Sequence, residues 1–374
     1  MPNPNAIVSS FIRFDPPLDR APAEMLRSEG GLSVELGGGR RVRFDPTNPS
    51  SAGFIQILEG LSKLRRPVYL EIDPATSVIT RLLIPHVTRV LGIRPADQGG
   101  LDVELELSHA RHILRRDLSD FAEMEQLLAN AARSKQLLIV TEDDAHNIID
   151  IRSFSPGDDW PLPPLPSPEF PPRLPWPLRW INWLIDWIRY WPFWPWCWCC
   201  MSMAKAQQTF NAMSATSCDP LTIPVPCIPF LYPDDGCWAR AHEMCRLMIN
   251  MGLSPRKVWI QGILNTATRN NPNCYVNWGW HVAPTLCVWG PMVFQTQTMV
   301  VDPSLFGTPV SEMTWKSVQG DPSAMLTETD ASDYLWGATD PTYSQTDYYL
   351  AFYRLQLQLR ATMPNGPPPY ANCP

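Results

Sequence analysis

A cysteine, a histidine and an aspartate in the C-terminal part of this 374-residue chain could together carry out nucleophilic catalysis. Cys237, His281 and Asp302 occur in that order along the sequence. A thiolate attacks a carbonyl carbon, a neighbouring imidazole moves the proton, and a carboxylate holds that imidazole in one tautomer. These three residue types predict acyl-transfer chemistry at a cysteine.

The elements around these residues are suited to position them. Pro-Asp-Asp-Gly precedes Cys237 and a helical period follows it as far as Gly252, so Cys237 is predicted in the first turn of a helix. There the helix dipole and the free backbone amides favour a thiolate and an oxyanion. His281 lies within a predicted strand and Asp302 ends another, so two adjacent antiparallel strands could bring both side chains to one point.

Each residue also has a simpler interpretation when it is taken alone. Cys237 could be a small core residue, His281 a satisfied core histidine, and Asp302 a turn former before proline. His242 competes with His281 as the base, but residues i and i+5 of one helix lie about 140° apart, which disfavours it. The order helix, strand, strand favours the joint catalytic hypothesis.

Four sequence blocks in this region resemble the bacterial protein-glutaminase family, whose members have a papain- or transglutaminase-like core. The blocks are DGCWARAH at 235–242, KVWIQG at 257–262, WGWHVA at 278–283 and VDPSLF at 301–306, and a Tyr-rich segment predicted as a strand follows at Asp347–Leu357. The resemblance assigns Cys237 as the nucleophile, His281 as the base and Asp302 as the orienting carboxylate. Trp238 and Trp280, which flank these residues, are the candidates for substrate binding.

The resemblance implies a protein-glutamine deamidase, which hydrolyses glutamine side chains of a protein or peptide substrate to glutamate and ammonia through a cysteine thioester. No metal or organic cofactor is needed for this reaction. The same triad would serve a transglutaminase if an amine resolved the thioester, or a cysteine protease if the site admitted a main chain. The family also has an N-terminal pro-region over its cleft, so residues 1–150 could inhibit or localise the enzyme.

Composition divides the chain into three segments. The 45% of apolar residues can fill sizeable cores, and the formal net charge of −7 argues against a nucleic-acid binder. We predict a small α/β domain of unknown role at 1–154, a Pro/Trp-rich linker and arm at 155–203, and a catalytic domain at 204–374. The predicted fold class is α+β, a papain/transglutaminase-like domain with a helix-borne cysteine packed on an antiparallel sheet, preceded by the separate small α/β domain.

The N-terminal segment has helical and strand patterns but no evident chemistry. Gly37-Gly38-Gly39 predicts the turn of a hairpin, and helices are predicted over Phe54–Leu64 and Ser119–Ala132. His109 and His112 lie in a basic stretch without a carboxylate or thiol at ligand spacing, which predicts a solvated helix face. Strands are predicted over Val68–Ile72, Val78–Ile84, Val87–Ile93, Leu101–Leu107, Leu137–Val140 and Ile148–Ile151.

The middle segment holds nine of the sixteen tryptophans, between Trp160 and Trp198. Its prolines cannot lie inside a helix or an inner strand, which predicts an extended spacer. Residues 176–200 have an amphipathic pattern whose uncharged run is too short to span a membrane. Two uses remain open, peripheral membrane binding and docking on this protein or a partner. The non-enzyme alternative is a docking protein that uses this arm.

The cysteines leave the compartment open. Those of the last segment could form one or two disulfides, as in a secreted domain, yet the N-terminus lacks the pattern of a classical signal peptide. The sequence is therefore compatible with the cytoplasm and with export by a non-classical route. A soft-metal site at Cys197, Cys199 and Cys200 would lack a second ligand group at a defined spacing.

Overall fold

The computed structural model describes residues 5–27, 32–96, 99–106, 108–154, 200–223, 225–290 and 295–374. The predicted spacer and nearly all of the tryptophan-rich arm lie outside these residues. Within the described ranges, no helix combines the length and the apolar character that crossing a membrane requires.

The N-terminal half contains the same arrangement of elements twice. The first copy consists of β1 (Ala6–Ser9), β2 (Ile12–Asp15), α1 (Pro22–Met25), β3 (Ser33–Leu36), β4 (Arg41–Arg43), α2 (Ser51–Leu64), β5 (Val68–Ile72) and β6 (Ile79–Leu83). The second consists of β7 (His86–Thr88), β8 (Val90–Pro95), β9 (Gly100–Leu105), β10 (His112–Arg115), α3 (Phe121–Ser134), β11 (Leu138–Glu142) and β12 (Ile148–Ser153). Each copy forms two antiparallel sheets of three strands, in the orders β2-β3-β4 and β1-β5-β6, then β8-β9-β10 and β7-β11-β12.

The two copies agree closely from the helix to the turn after the next strand. Both helices have 14 residues and end at a residue in the left-handed conformation, Arg65 with φ 49° and Lys135 with φ 58°. The following strands lead to Asp73 and Asp143, whose carboxylates accept hydrogen bonds from backbone amides of the turn. A constant offset of 70 residues relates the copies over this stretch. The sequence predicts the helices and strands of this stretch, but it predicts neither β1, β2 and β10 nor the repeat.

Two parts of the N-terminal prediction are wrong. Val87–Ile93 is not one strand, because it contributes to both β7 and β8, which belong to different sheets. His109 and His112 do not lie on a solvated helix face, since His112 lies in β10 and both side chains are buried. In β10 the inward residues His112 and Leu114 alternate with more exposed neighbours, which is the period of a strand.

The C-terminal region combines helices with one large antiparallel sheet. Its elements are α4 (Met203–Ser214), α5 (Cys237–Asn250), β13 (Arg256–Ala267), β14 (Tyr275–Trp289), β15 (Thr296–Val300), β16 (Val310–Ser311), α6 (Glu312–Ser317), β17 (Met325–Asp330), β18 (Asp333–Leu335), β19 (Ala338–Thr339) and α7 (Ser344–Thr362). The sheet has the order β16-β15-β14-β13-β17, and α5 packs against β14. The described part of the chain is thus a mixed α+β structure with several antiparallel sheets.

Strand β14 is much longer than its neighbour β15. The two strands are antiparallel and pair only between residues 285–289 and 296–300. The other neighbour, β13, pairs along most of β14, from Tyr275 to Thr285. Consequently, β15 leaves one edge of β14 uncovered around Asn277–Gly279.

The Tyr-rich segment Asp347–Leu357 is helical rather than extended, so the predicted late strand is wrong. It lies within α7, where Tyr349, Tyr353 and Leu357 are buried. These side chains recur every four residues and so share one face of a helix.

One apolar core joins the first copy to the C-terminal region, whereas the second copy has its own. The shared cluster includes Leu58 of α2, Trp238 of α5 and Tyr353 of α7. The core of the second copy, around Leu128 of α3, is a separate cluster. The first copy is therefore packed into the C-terminal region through α2 and α7.

Among the residues that the structure describes, three disulfides connect loops and strand ends of the C-terminal region, where one or two were predicted. They are Cys200–Cys287, Cys218–Cys227 and Cys274–Cys373. Among the described cysteines, only Cys237 and Cys245 are free, and both are buried.

Candidate active site

Cys237 is the first residue of α5, as the sequence predicted, and is 1% exposed. The preceding Gly236 has φ 79°, a left-handed conformation that favours glycine. A Cβ at this position would also lie 2.3 Å from the ring of Tyr353. The turn is closed by Asp235, whose Oδ1 accepts a hydrogen bond from the Gly236 amide at 2.9 Å. The unpaired backbone amides of the first helical turn therefore lie at the same end of α5 as the thiol.

His281 and Asp302 are in direct contact, although they lie 21 residues apart. His281 belongs to β14, and its Nε2 lies 2.9 Å from Oδ2 of Asp302, just beyond the end of β15. The same carboxylate accepts hydrogen bonds from Trp315 Nε1 at 2.9 Å and from the Ser304 amide at 3.2 Å. Burial raises the pKa of Asp302, but the His281 ring and these donors outweigh burial and lower the pKa to about 2.

Two tryptophans hold the His281 ring in place. The ring stacks on Trp278 with centroids 4.4 Å apart, and on Trp315 with centroids 5.4 Å apart. With Nε2 on Asp302, the other ring nitrogen, Nδ1, has no hydrogen-bond partner among the described residues. His281 therefore has a fixed orientation and one buried nitrogen that is available to a reacting group.

A second histidine, His109, enters the site from the N-terminal half. Its Nδ1 lies 3.1 Å from Sγ of Cys237 and 3.1 Å from Oδ1 of Asp235. His109, Cys237 and His281 each offer an atom within 4.8 Å of the other two, so these three residues could also hold a soft metal ion. His109 is not predicted from the sequence, because its partners Cys237 and Asp235 lie more than 120 residues further along the chain. Recognition of the repeat would have singled out its loop, which takes the place of the Gly37–Gly39 turn.

The loop around His109 pairs with the edge of β14 that β15 leaves uncovered. The Gly279 amide donates to the His109 carbonyl at 2.8 Å, and the Arg111 amide donates to the Asn277 carbonyl at 3.1 Å. The His109 amide donates to Asp235 Oδ1 at 3.1 Å. A short segment of the second copy thus pairs with β14 through an antiparallel bridge between Ala110 and Trp278, and it places His109 on the thiol.

Cys237 and His109, which are in contact in the covered site, are both held in their neutral forms. Burial raises the pKa of the Cys237 thiol well above its ordinary value. Burial lowers the pKa of His109 to about 4, although the Asp235 carboxylate acts in the opposite direction. The contact between Cys237 and His109 is therefore one between a thiol and an imidazole rather than between a thiolate and an imidazolium.

The remaining candidates of the sequence analysis lie in different environments. Trp238 is fully buried, and its Nε1 donates to the Tyr334 hydroxyl at 3.1 Å. Trp280 borders a cleft of about 590 Å³ between the second copy and the C-terminal region. His242, the competing base, lies with Nδ1 2.9 Å from Nζ of Lys257 and so is engaged elsewhere.

Comparison with known proteins identifies the family. A family model described as "Glutaminase" matches residues 206–319, the stretch that holds Cys237, His281 and Asp302. The solved structure of protein-glutaminase from Chryseobacterium proteolyticum is 31% identical, over 39% of this chain and 78% of that one, with a TM-score of 0.33. This chain belongs to the protein-glutaminase family.

A further match covers more of the chain than the family model does. A crystal structure of pro- protein-glutaminase has a TM-score of 0.50 and 22% identity, and the match covers 78% of this chain and 99% of that chain. Among curated proteins, none matches the chain significantly. The chain is thus a hydrolase of the protein-glutaminase family whose fold is similar to that of the pro-form. The buried pair of Cys237 and His109 is consistent with a cysteine amidase.

Proposed function

We propose that this chain is a protein-glutamine deamidase in which Cys237 is the nucleophile, His281 the base and Asp302 the residue that orients the base. One observation carries the proposal: an imidazole fixed by a buried carboxylate at 2.9 Å lies beside a cysteine at a helix start. Such an arrangement supplies a nucleophile, a proton carrier and an orienting group in one place. Family membership favours the glutamine side chain as the substrate.

The chemical steps follow from these positions. His281 takes the thiol proton, and the thiolate of Cys237 attacks the carbon of the glutamine carboxamide. The tetrahedral intermediate collapses, its C–N bond breaks, and His281 gives its proton to the departing ammonia. Water then attacks the thioester with His281 as base, which releases glutamate and restores the thiol. Asp302 keeps the imidazole in the tautomer that these transfers need.

The start of α5 supplies the stabilisation that the intermediate requires. The first backbone amides of a helix have no partner within the helix, and the helix dipole adds partial positive charge there. We assign the Cys237 amide to the oxyanion that forms on the substrate carbonyl. A donor in such a site contributes about 3–4 kcal/mol to the rate enhancement.

The N-terminal half covers this machinery, which supports an inhibited precursor. The loop that carries His109 occupies both the thiol and the free edge of β14, so a substrate must displace it. The name of the structural relative, pro- protein-glutaminase, fits this arrangement. We therefore assign residues 1–154 as an inhibitory domain and 204–374 as the papain/transglutaminase-like catalytic domain, joined by the linker 155–203.

The decisive experiment measures ammonia release from a glutamine-rich protein by the full chain, by residues 201–374 and by a Cys237→Ala variant of each. We expect residues 201–374 to be more active than the full chain, and both Cys237→Ala variants to be inactive. Amine incorporation and peptide cleavage are measured in parallel, because they report transglutaminase and protease activity. Equal activity of the two lengths would contradict inhibition, and the absence of all three activities would overturn the acyl-transfer proposal.

A further inference from the structure

Three histidines and a glutamate are buried together inside the second copy of the repeat, apart from the active site. Glu142 Oε1 lies 2.9 Å from His146 Nδ1 and 3.2 Å from His86 Nε2. Glu142 Oε2 contacts His112 Nδ1. His112, Glu142 and His146 each offer an atom within 4.8 Å of the other two. Three imidazoles thus converge on one carboxylate in a region from which water is largely excluded.

The first copy of the repeat shows that this fold does not require polar groups at these positions. Val140 pairs with His86 just as Leu70 pairs with Ile7, and Glu142 lies 70 residues after Ile72. In the first copy, the equivalents of His86, His112, Glu142 and His146 are, in that order, Ile7, Val42, Ile72 and Ser77. Where the first copy has three apolar residues and a serine, the second copy has potential metal ligands.

The backbone confirms the alignment at the turn. The Arg43 amide donates to the Ser77 carbonyl, and the Ile113 amide donates to the His146 carbonyl, both at 2.9 Å. Ser77 and His146 also share a left-handed conformation, with φ 58° and 59°. The turn of the second copy is one residue shorter, since Ser77 and His146 lie 69 residues apart rather than 70. The strand pairing and the hydrogen bond at the turn are retained, so the two interiors differ mainly in their side chains.

The imidazole of His112 is supported in the way that metal-bound histidines usually are, whereas the second nitrogen of His146 faces a carboxylate without a hydrogen bond. A histidine ligand commonly has its second ring nitrogen on a hydroxyl or a carboxylate, which fixes its orientation. His112 Nε2 lies 2.8 Å from Ser108 Oγ. His146 is 95% buried, and its Nε2, which has no hydrogen-bond partner among the described residues, lies 3.7 Å from Asp234 Oδ1.

We propose that His112, Glu142 and His146 form a binding site for Zn²⁺, with His86 on the fourth side. Two neutral imidazoles and a carboxylate form a donor set that zinc accepts in proteins. Binding requires Nδ1 of both rings to be free of its proton, and a neutral ring then has its one proton on Nε2, which faces Ser108 in His112 and Asp234 in His146. The donor atoms must also move apart to accommodate the ion. A cleft of about 30 Å³ that Glu142, His146 and Asp144 border gives access to the site.

The position of the site links it to the covering loop. Ser108, which contacts His112, precedes His109, and Asp234, which faces His146, precedes Asp235. An ion at this point would connect the loop of the second copy with the turn before Cys237. Binding is nevertheless a property of the N-terminal half and does not depend on the proposed enzymatic activity.

The test uses the full chain with Cys237→Ala, which removes the thiol of the other group that could bind a soft metal. After treatment with a chelator, the protein is titrated with Zn²⁺ against a chromophoric competitor. We expect about one equivalent to bind, with X-ray absorption that shows only nitrogen and oxygen ligands near 2.0–2.2 Å and no sulfur at about 2.3 Å. The absence of binding would overturn the proposal.

Two variants in this background locate the site. Glu142→Gln removes one ligand with little change in size, and we expect it to weaken binding at least about tenfold. The second variant restores the interior of the first copy through His86→Ile, His112→Val, Glu142→Ile and His146→Ser, and it should not bind the ion. Zn²⁺ affinity that is unchanged in Glu142→Gln would contradict the proposal even if the second variant failed to fold.

Discussion

The two copies of the N-terminal repeat have the same order of elements and the same sheet topology, but they contact the C-terminal region in different ways. The first copy has an apolar interior and a short Gly37–Gly39 turn, and its helix α2 packs on α7 as part of a shared core. The second copy has its own core, a buried cluster of histidines, and a loop that places His109 on the thiol. The first copy thus joins the N-terminal half to the C-terminal region through a shared core, whereas the second copy contacts the active site through His109.

Two histidines lie beside the same thiol, and the comparison predicts opposite effects on replacing them. In residues 201–374, His281→Ala and Asp302→Asn should each lower the rate of ammonia release by about 10³–10⁴-fold, because the proton carrier is lost or wrongly oriented. In the full chain, His109→Ala should instead raise the rate, because a group that covers the thiol is lost. Steady-state ammonia release measures all three. A loss of activity in His109→Ala would identify His109 as the base and reverse the proposal.

The attachment of the first copy can be broken by a matched pair of core truncations. Leu58 of α2 and Leu128 of α3 are equivalent and fully buried, so Leu58→Ala and Leu128→Ala should each cost about 2–5 kcal/mol of local stability. Only Leu58→Ala should lower the unfolding temperature of the C-terminal region, because only its core is shared. Calorimetry combined with hydrogen exchange reports the unfolding of the N-terminal half and of the C-terminal region separately. If Leu58→Ala and Leu128→Ala destabilised the C-terminal region equally, the first copy would not be the one that shares its core.

The loop of the second copy can be replaced by the turn of the first. A chain in which residues 106–111 are exchanged for the Gly37–Gly39 turn should keep both sheets but lose the segment on β14. If the intact chain opens about one time in a hundred, ammonia release should rise up to about 100-fold. The control variant has a loop of the same shortened length in which His109 is retained. An unchanged rate in the exchanged chain would show that something other than this loop limits the activity.

The covering of the site should weaken as the pH falls. The pKa of His109 is about 4 in the covered site, whereas that of a solvated histidine is about 6.5. Since the covered state binds this proton less well, covering is fully stable above about pH 6.5 and weakens by at most about tenfold per pH unit down to about pH 4. The Asp235 carboxylate, whose pKa is lowered, stays ionised throughout this range.

The measurement is the ratio of the rates of residues 201–374 and the full chain. This ratio should fall from neutral to mildly acidic pH, and His109→Asn should make it less dependent on pH. An equal dependence in wild type and His109→Asn would assign the effect to other groups.

The sequence predicts the local features of the site well because local chemistry determines them. The Pro-Asp-Asp-Gly start places Cys237 at a helix end, and the strand patterns place His281 and Asp302 on or beside adjacent strands. His109 could not be found in this way, because its partners Cys237 and Asp235 are distant in sequence and its role depends on docking between two regions. The cluster around Glu142 was hidden for the same reason.

The errors in secondary structure have equally specific causes. The sequence predicts a strand at Asp347–Leu357, because aromatic residues are frequent in strands. This segment contains Tyr349, Tyr353 and Leu357. Their spacing of four fits a helix better, and packing against α2 and α5 makes that face buried. The repeat is difficult to recognise in the sequence, because its two copies share the order of their elements and the spacing between them but few identical residues.

The edge of β14 that β15 leaves unpaired would influence which glutamines such an enzyme modifies once the His109 loop is displaced. A strand edge offers Gly279 N–H and the Asn277 carbonyl, and these groups recognise any extended main chain regardless of its side chains. A glutamine in a rigid helix or an inner strand has its own backbone groups already paired and cannot use them. Selection would therefore follow the local flexibility of the target more than its sequence, and loops, tails and partly unfolded proteins would react first.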